Sequence, residues 1–77
     1  MFVVAALYHF TRFKDHQKIC DPLQDQCNLS GVTGSLLLAP EGINGTIAGS
    51  REGIDNVIEY IKSLPGCGSI EHKESIA

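Results

Sequence analysis

The segment Pro40-Glu41-Gly42-Ile43-Asn44-Gly45-Thr46 packs a carboxylate, an amide and two glycines into a few consecutive residues. Side chains and backbone N–H groups brought together in so short a connection could converge on a ligand. The same residues also suit a bare chain reversal, with Gly42, Asn44 and Gly45 supplying the backbone angles and Glu41 solvated. A second grouping is Tyr8, Phe10 and Phe13 interleaved with His9, Arg12 and Lys14, rings and cations of the kind that stack on bases and meet phosphates. About half of these are expected to face a core, and a local excess of two positives is modest for a nucleic-acid surface; Tyr8, Arg12 and Lys14 are the candidate RNA contacts. Arg12 with Asn44 is the one pair that could grip a phosphoryl group. His16 and Cys20, four apart and near His9, sketch a metal site, yet no CxxC or HExxH pattern accompanies them and a fourth ligand is missing. A surface histidine, a buried cysteine and no metal are expected there. Cys67, between Gly66 and Gly68, is expected to be exposed and without a catalytic partner. His72 is expected at the edge of the core, on the strand face of Ile70 and Ile76.

These groups must be held by one small domain. The chain has 77 residues, 43% of them hydrophobic, with 6 Lys and Arg against 9 Asp and Glu. That composition excludes a collagen-like chain and a charge-driven disordered tail. The longest uninterrupted apolar run, Phe2 to Tyr8, is far short of the roughly 20 residues that cross a bilayer, so no membrane partner is expected. It lacks the basic flank and cleavage site of a signal peptide. Three cysteines are too few for a secreted disulfide framework, which points to the cytoplasm. A net charge of -3 argues against phosphate neutralisation by the domain as a whole. The excess of acid lies wholly in residues 39–77, and the one locally basic stretch is His9 to Lys18.

Phe2 to Phe10 alternates as a strand, with Phe2, Val4, Ala6, Tyr8 and Phe10 on one side. Ile19, Cys20, Leu23 and Cys27 recur at helical spacing after Asp15. Pro22 then implies either a kink or a late start, with Asp21 as the cap and Pro22 in the first turn. Val32 to Ala39 reads as a second strand, with Leu36 and Leu38 on one face and Ser35 and Leu37 on the other. The Glu41 to Gly45 segment reads as the turn into a third strand, Thr46 to Gly49. Ser50 caps a second helix whose Ile54, Val57, Ile58, Ile61 and Leu64 form a core-facing stripe ended by Pro65-Gly66. Ser69 to Ile76 is the last strand. The order β-α-β-β-α-β predicts an α+β, ferredoxin-like (acylphosphatase-like) sandwich, an antiparallel sheet with two helices on one face. Acylphosphatases share this topology but need a glycine-rich phosphate loop after the first strand, and Thr11-Arg12-Phe13-Lys14 has no glycine.

Leu36 to Gly49, with Phe2 to Phe10 before it and Glu71-His72-Lys73-Glu74-Ser75 after it, closely resembles the amino-terminal domain of the rhodanese-related tRNA uridine hydroxylases. Glu41-Gly42-Ile43-Asn44-Gly45 is the specific part; Pro22 and His72 depart from the family pattern. The resemblance implies an acylphosphatase-like domain followed by a rhodanese domain in the same chain, the whole converting the wobble uridine of tRNA to 5-hydroxyuridine with oxygen. It implies that the catalytic cysteine sits in the rhodanese domain, so none of Cys20, Cys27 or Cys67 takes that role and residues 1–77 hold no cofactor. It also implies that Glu41, Gly42, Ile43 and Asn44 shape a contact with tRNA or with the rhodanese domain. The alternatives are an acylphosphatase-like hydrolase using Arg12 and Asn44, and a purely structural docking domain.

Overall fold

The computed structural model describes residues 2–64 and 66–76. Pro65, expected to stop the second helix, and Ala77, after the last strand, lie outside the described residues, as does Met1. The elements run β1 (Val3–Phe10), α1 (His16–Leu29), β2 (Thr33–Ala39), β3 (Gly42–Gly49), α2 (Arg51–Lys62) and β4 (Glu71–Ile76). The strands form one antiparallel sheet in the order β2-β3-β1-β4, so β2 and β4 are its outer strands. This is the ferredoxin-like α+β arrangement the sequence predicts.

The second helix forms as its sequence dictates. Ser50 holds extended backbone and its Oγ accepts the Gly53 N–H at 3.0 Å, satisfying one of the free donors of the first turn. Glu52 in the first turn and Lys62 in the last suit the helix dipole. Ile54, Val57, Ile58 and Ile61 are buried against Val3, Ala5, Leu7, Ile43 and Ile47 of the sheet. Each such side chain contributes about 1.5–3 kcal/mol by leaving water. The first helix adds only Leu23 and Cys27 as fully buried residues. It begins at His16 and runs through Pro22, so the late start at Asp21 does not occur. Pro22 is exposed, and the carbonyl it leaves unbonded, that of Lys18, is one turn back among exposed residues where water can reach it.

The third strand begins at Gly42 rather than Thr46, and the reversal is confined to Pro40-Glu41, because Ala39 pairs with Gly42. Gly42 and Gly45 therefore do not serve a turn. They lie in a strand flanked on both sides, with φ of 155° and 153°. A Cβ on Gly42 would strike the His9 carbonyl oxygen, and one on Gly45 would strike that of Ser35. Glycine is required there by close approach of neighbouring backbones. Residues with the composition of a turn thus occupy the middle of the sheet.

The pairing divides the side chains between two faces. Val3, Ala5 and Leu7 face the helices, as do their β4 partners Ile76, Glu74 and His72. The opposite face has no helix over it. Its rows, read across β2, β3, β1 and β4, are Thr33-Ala48-Val4-Ser75, Ser35-Thr46-Ala6-Lys73 and Leu37-Asn44-Tyr8-Glu71, followed by Ala39-Gly42-Phe10, where β4 no longer reaches. Among the described residues no helix is long and apolar enough to cross a membrane.

Candidate functional site

Two aromatic rings stand on the uncovered face of the central strand. Tyr8 is 57% exposed and Phe10 80%, and they meet edge to face with ring centroids 6.2 Å apart. Phe10 is the barer of the two because Gly42, its neighbour on β3, has no side chain and β4 ends one row earlier. Tyr8 is flanked by Asn44, which is exposed, and beyond that by the exposed Leu37. A shallow depression of about 90 Å³ lies between Tyr8, Phe10, Glu41 and Asn44.

The chain beyond β1 continues along the β2–β3 turn. The Thr11 N–H donates to the Glu41 carbonyl at 3.1 Å and the Phe13 N–H to the Pro40 carbonyl at 3.0 Å. Phe13 is buried and anchors this stretch, while Arg12 and Lys14 are exposed beside Pro40 and Glu41. Two of the N–H groups that would have to cradle a phosphate are thus committed to carbonyls. Asn44 pairs with Tyr8 within β1, whereas Arg12 lies past the end of that strand beside Pro40 and Glu41.

The structure brings Tyr8 and Asn44 together on one face and sets Arg12, Lys14 and Glu41 at the end of that face. Gly42 and Ile43 are both buried, Gly42 in the open-face row beside Phe10 and Ile43, at 2% exposure, in the core beneath the helices. Leu37 and Lys73 join the face without having been singled out from the sequence. Alternation alone placed Leu37 opposite Leu36, but only the cross-strand register puts it in the row of Tyr8.

The remaining candidates lie elsewhere. His9 uses its Nε2–H to donate to the Gly66 carbonyl at 2.6 Å, tying the α2–β4 connection to β1. Cys20 is exposed, not buried, because it falls on the outer side of α1; His16 is half-buried. Among the described residues no three His, Cys, Asp or Glu side chains group as metal ligands do. Cys67 is fully buried, against the expectation of an exposed thiol: its N–H donates to the Leu64 carbonyl and its carbonyl accepts from Ile70, a tight turn that tucks the sulfur into the core. Burial pushes the Cys27 and Cys67 thiols up from their ordinary value, which keeps them protonated and unreactive. His72 is half-buried on the helix side with Nε2 3.2 Å from Glu74. Glu74 also accepts from Arg51, whose second partner is Asp55 at 2.8 Å.

The UPF0176 acylphosphatase like domain matches residues 2–77. The tRNA uridine(34) hydroxylase of Jannaschia sp. (strain CCS1) is 62% identical over 77 residues, covering 100% of this chain and 26% of that protein. The protein of the same name from Roseobacter denitrificans is 57% identical over 75 residues, 97% of this chain and 25% of the relative. That from Gluconobacter oxydans is 51% identical over 74 residues, 96% of this chain and 24% of the relative. The chain spans about a quarter of the length of the curated relatives it matches. With this sandwich, its glycine-lined third strand and identity running from end to end, the chain belongs to the UPF0176 acylphosphatase-like domain family.

Proposed function

We propose that this domain is a non-catalytic, substrate-positioning part of an oxygen-dependent tRNA uridine hydroxylase that forms 5-hydroxyuridine at the wobble position. In this reading residues 1–77 are the amino-terminal domain of a cytoplasmic polypeptide whose rhodanese domain carries the reactive cysteine, and the domain itself needs no cofactor. The observation that carries the reading is 62% identity over the whole chain to a protein named tRNA uridine(34) hydroxylase. Two further observations support it. This chain corresponds to about a quarter of such proteins, which leaves room for the chemistry elsewhere. Its two buried thiols are held protonated, and among the described residues no histidine is hydrogen-bonded to the exposed Cys20. A hydrolase of acyl phosphates is disfavoured, because the Thr11 and Phe13 backbone donors after β1 are already used by carbonyls.

The test is to remove residues 1–77 from the reading frame that encodes them and to quantify 5-hydroxyuridine in cellular tRNA by nucleoside mass spectrometry. The modification is expected to vanish while the remaining polypeptide persists at its normal level. Undiminished modification would overturn the proposal.

A further inference from the structure

We propose that the uncovered sheet face is a stacking platform for unpaired bases of single-stranded RNA, with Tyr8 and Phe10 under successive bases, Asn44 beside them as a base-edge donor and acceptor, and Arg12, Lys14 and Lys73 on the flanking phosphates. This rests on the tRNA reading above and names the surface and the strandedness of the RNA it takes.

Three observations carry it. The first is the exposure of two rings on the central strand of a sheet whose other face packs against the helices. Stacking on bases is the use of flat rings that tolerates any base, and a four-stranded sheet with surface aromatics is a known form of such a platform. The second is space around the rings. Gly42 on one side of Phe10 and the end of β4 on the other leave both flanks of the ring open, so a base can lie over it without displacing a side chain.

The third is the partition of charge. The net charge of the chain is negative, which taken alone argues against RNA. The acid, however, sits on the helical side. Asp15, Asp21, Asp25, Glu52, Asp55 and Glu59 belong to the helices and their caps, where only Lys18, Arg51 and Lys62 oppose them. Glu74 also faces that side and is bound by Arg51. What remains around the uncovered face is Arg12, Lys14 and Lys73 against Glu41 and Glu71, a small positive excess. Lys18 and Arg51 are engaged in ion pairs on the helical side, whereas among the described residues Arg12, Lys14 and Lys73 form none. Their charge is available to phosphate. The polar rows Ser35-Thr46-Lys73 and Asn44-Glu71 crossing the face also fit a wet RNA contact better than the charge-poor centre of a protein interface.

The experiment titrates a labelled anticodon stem-loop RNA, and a fully paired hairpin of matching composition, with the 77-residue chain. The stem-loop is expected to bind more tightly than the paired hairpin, since paired bases offer no faces to the rings. Phe10→Ala and Tyr8→Ala are each expected to weaken stem-loop binding about 5- to 100-fold, and Tyr8→Phe to retain most of it. Phe10 is 80% exposed, so its loss leaves the core intact, which a thermal melt verifies. With three cations on phosphates the logarithm of affinity should fall against the logarithm of salt with a slope of about −2. Amide shifts on binding should map to β1, β3 and β4, and Lys18→Ala and Lys62→Ala should change nothing. Equal binding of paired and looped RNA, an inert Phe10→Ala, or shifts confined to the helices would overturn the proposal. So would protection of the Tyr8 and Phe10 amides by the rest of a longer polypeptide without RNA, which would make the face an intramolecular docking surface. An inert Phe10→Ala alongside lost modification in the deletion strain removes this inference and leaves the proposed function standing. Intact modification in the deletion strain overturns the proposed function whatever the titration shows.

Discussion

Glu74 shows how a single carboxylate on an outer strand can hold two layers together. It accepts hydrogen bonds from Arg51 at the start of α2 and lies within reach of His72 on its own strand. The bond from Arg51, more than the contact with His72, holds the Glu74 carboxyl below the usual range for its type. The unfolded chain therefore binds the proton more tightly than the folded one. The contribution of Glu74 to stability is complete above the unfolded value of about 4.3 and is lost as pH falls through the lowered folded value. Glu74→Gln should lower the melting temperature modestly near neutral pH and make no difference at the acid end of the titration. Melts of both proteins across the acid range check this; a gap that persists or widens in acid contradicts it. The cysteines are a lesson at the same scale. Flanking glycines made Cys67 read as exposed, yet Gly66, at a φ of 82° and pressed against the Thr11 side chain, has no room for a Cβ in the turn that buries it. Which way a thiol points depends on a turn closing, and residue type alone does not determine that.

Among the elements, α2 was legible from its start, because the Ser50 cap and the apolar stripe agree with one another, although the helix ends at Lys62, before Leu64. The order of elements and the two faces of β1 were equally readable from alternation. The start of β3 was not. Gly42-Ile43-Asn44-Gly45 has the composition of a turn, and only long-range pairing with β1 and β2 reveals why glycine is needed in an extended strand. The candidate site suffered the same way: Tyr8 and Asn44 could be named separately, but their adjacency, and the open flank that Gly42 gives Phe10, follow from register. Substitution at Gly42 tests the close approach of β3 to β1. Since a Cβ there would collide with the His9 carbonyl, Gly42→Ala is expected to destabilise by about 1–3 kcal/mol in urea unfolding. Gly68→Ala, where a Cβ meets nothing within 4 Å, should stay within about 0.5 kcal/mol.

The whole molecule is two-sided: an acidic helical layer in which Lys18 and Arg51 are ion-paired, and a bare sheet whose cations are free of partners among the described residues. Under the proposed RNA contact, that division gives a direction of approach, sheet first. The sheet is lopsided in another respect. Its β4 rim, Glu71-His72-Lys73-Glu74, bristles with ionisable groups, whereas from Leu29 through Pro40 the β2 rim has not one. Unguarded outer strands add further strands through their spare backbone groups. Concentrated stocks should therefore thicken with time by β2 of one copy zipping to β2 of another, and Leu37→Lys should keep light scattering flat over the same storage. Whoever handles this protein will find that it spoils from one side.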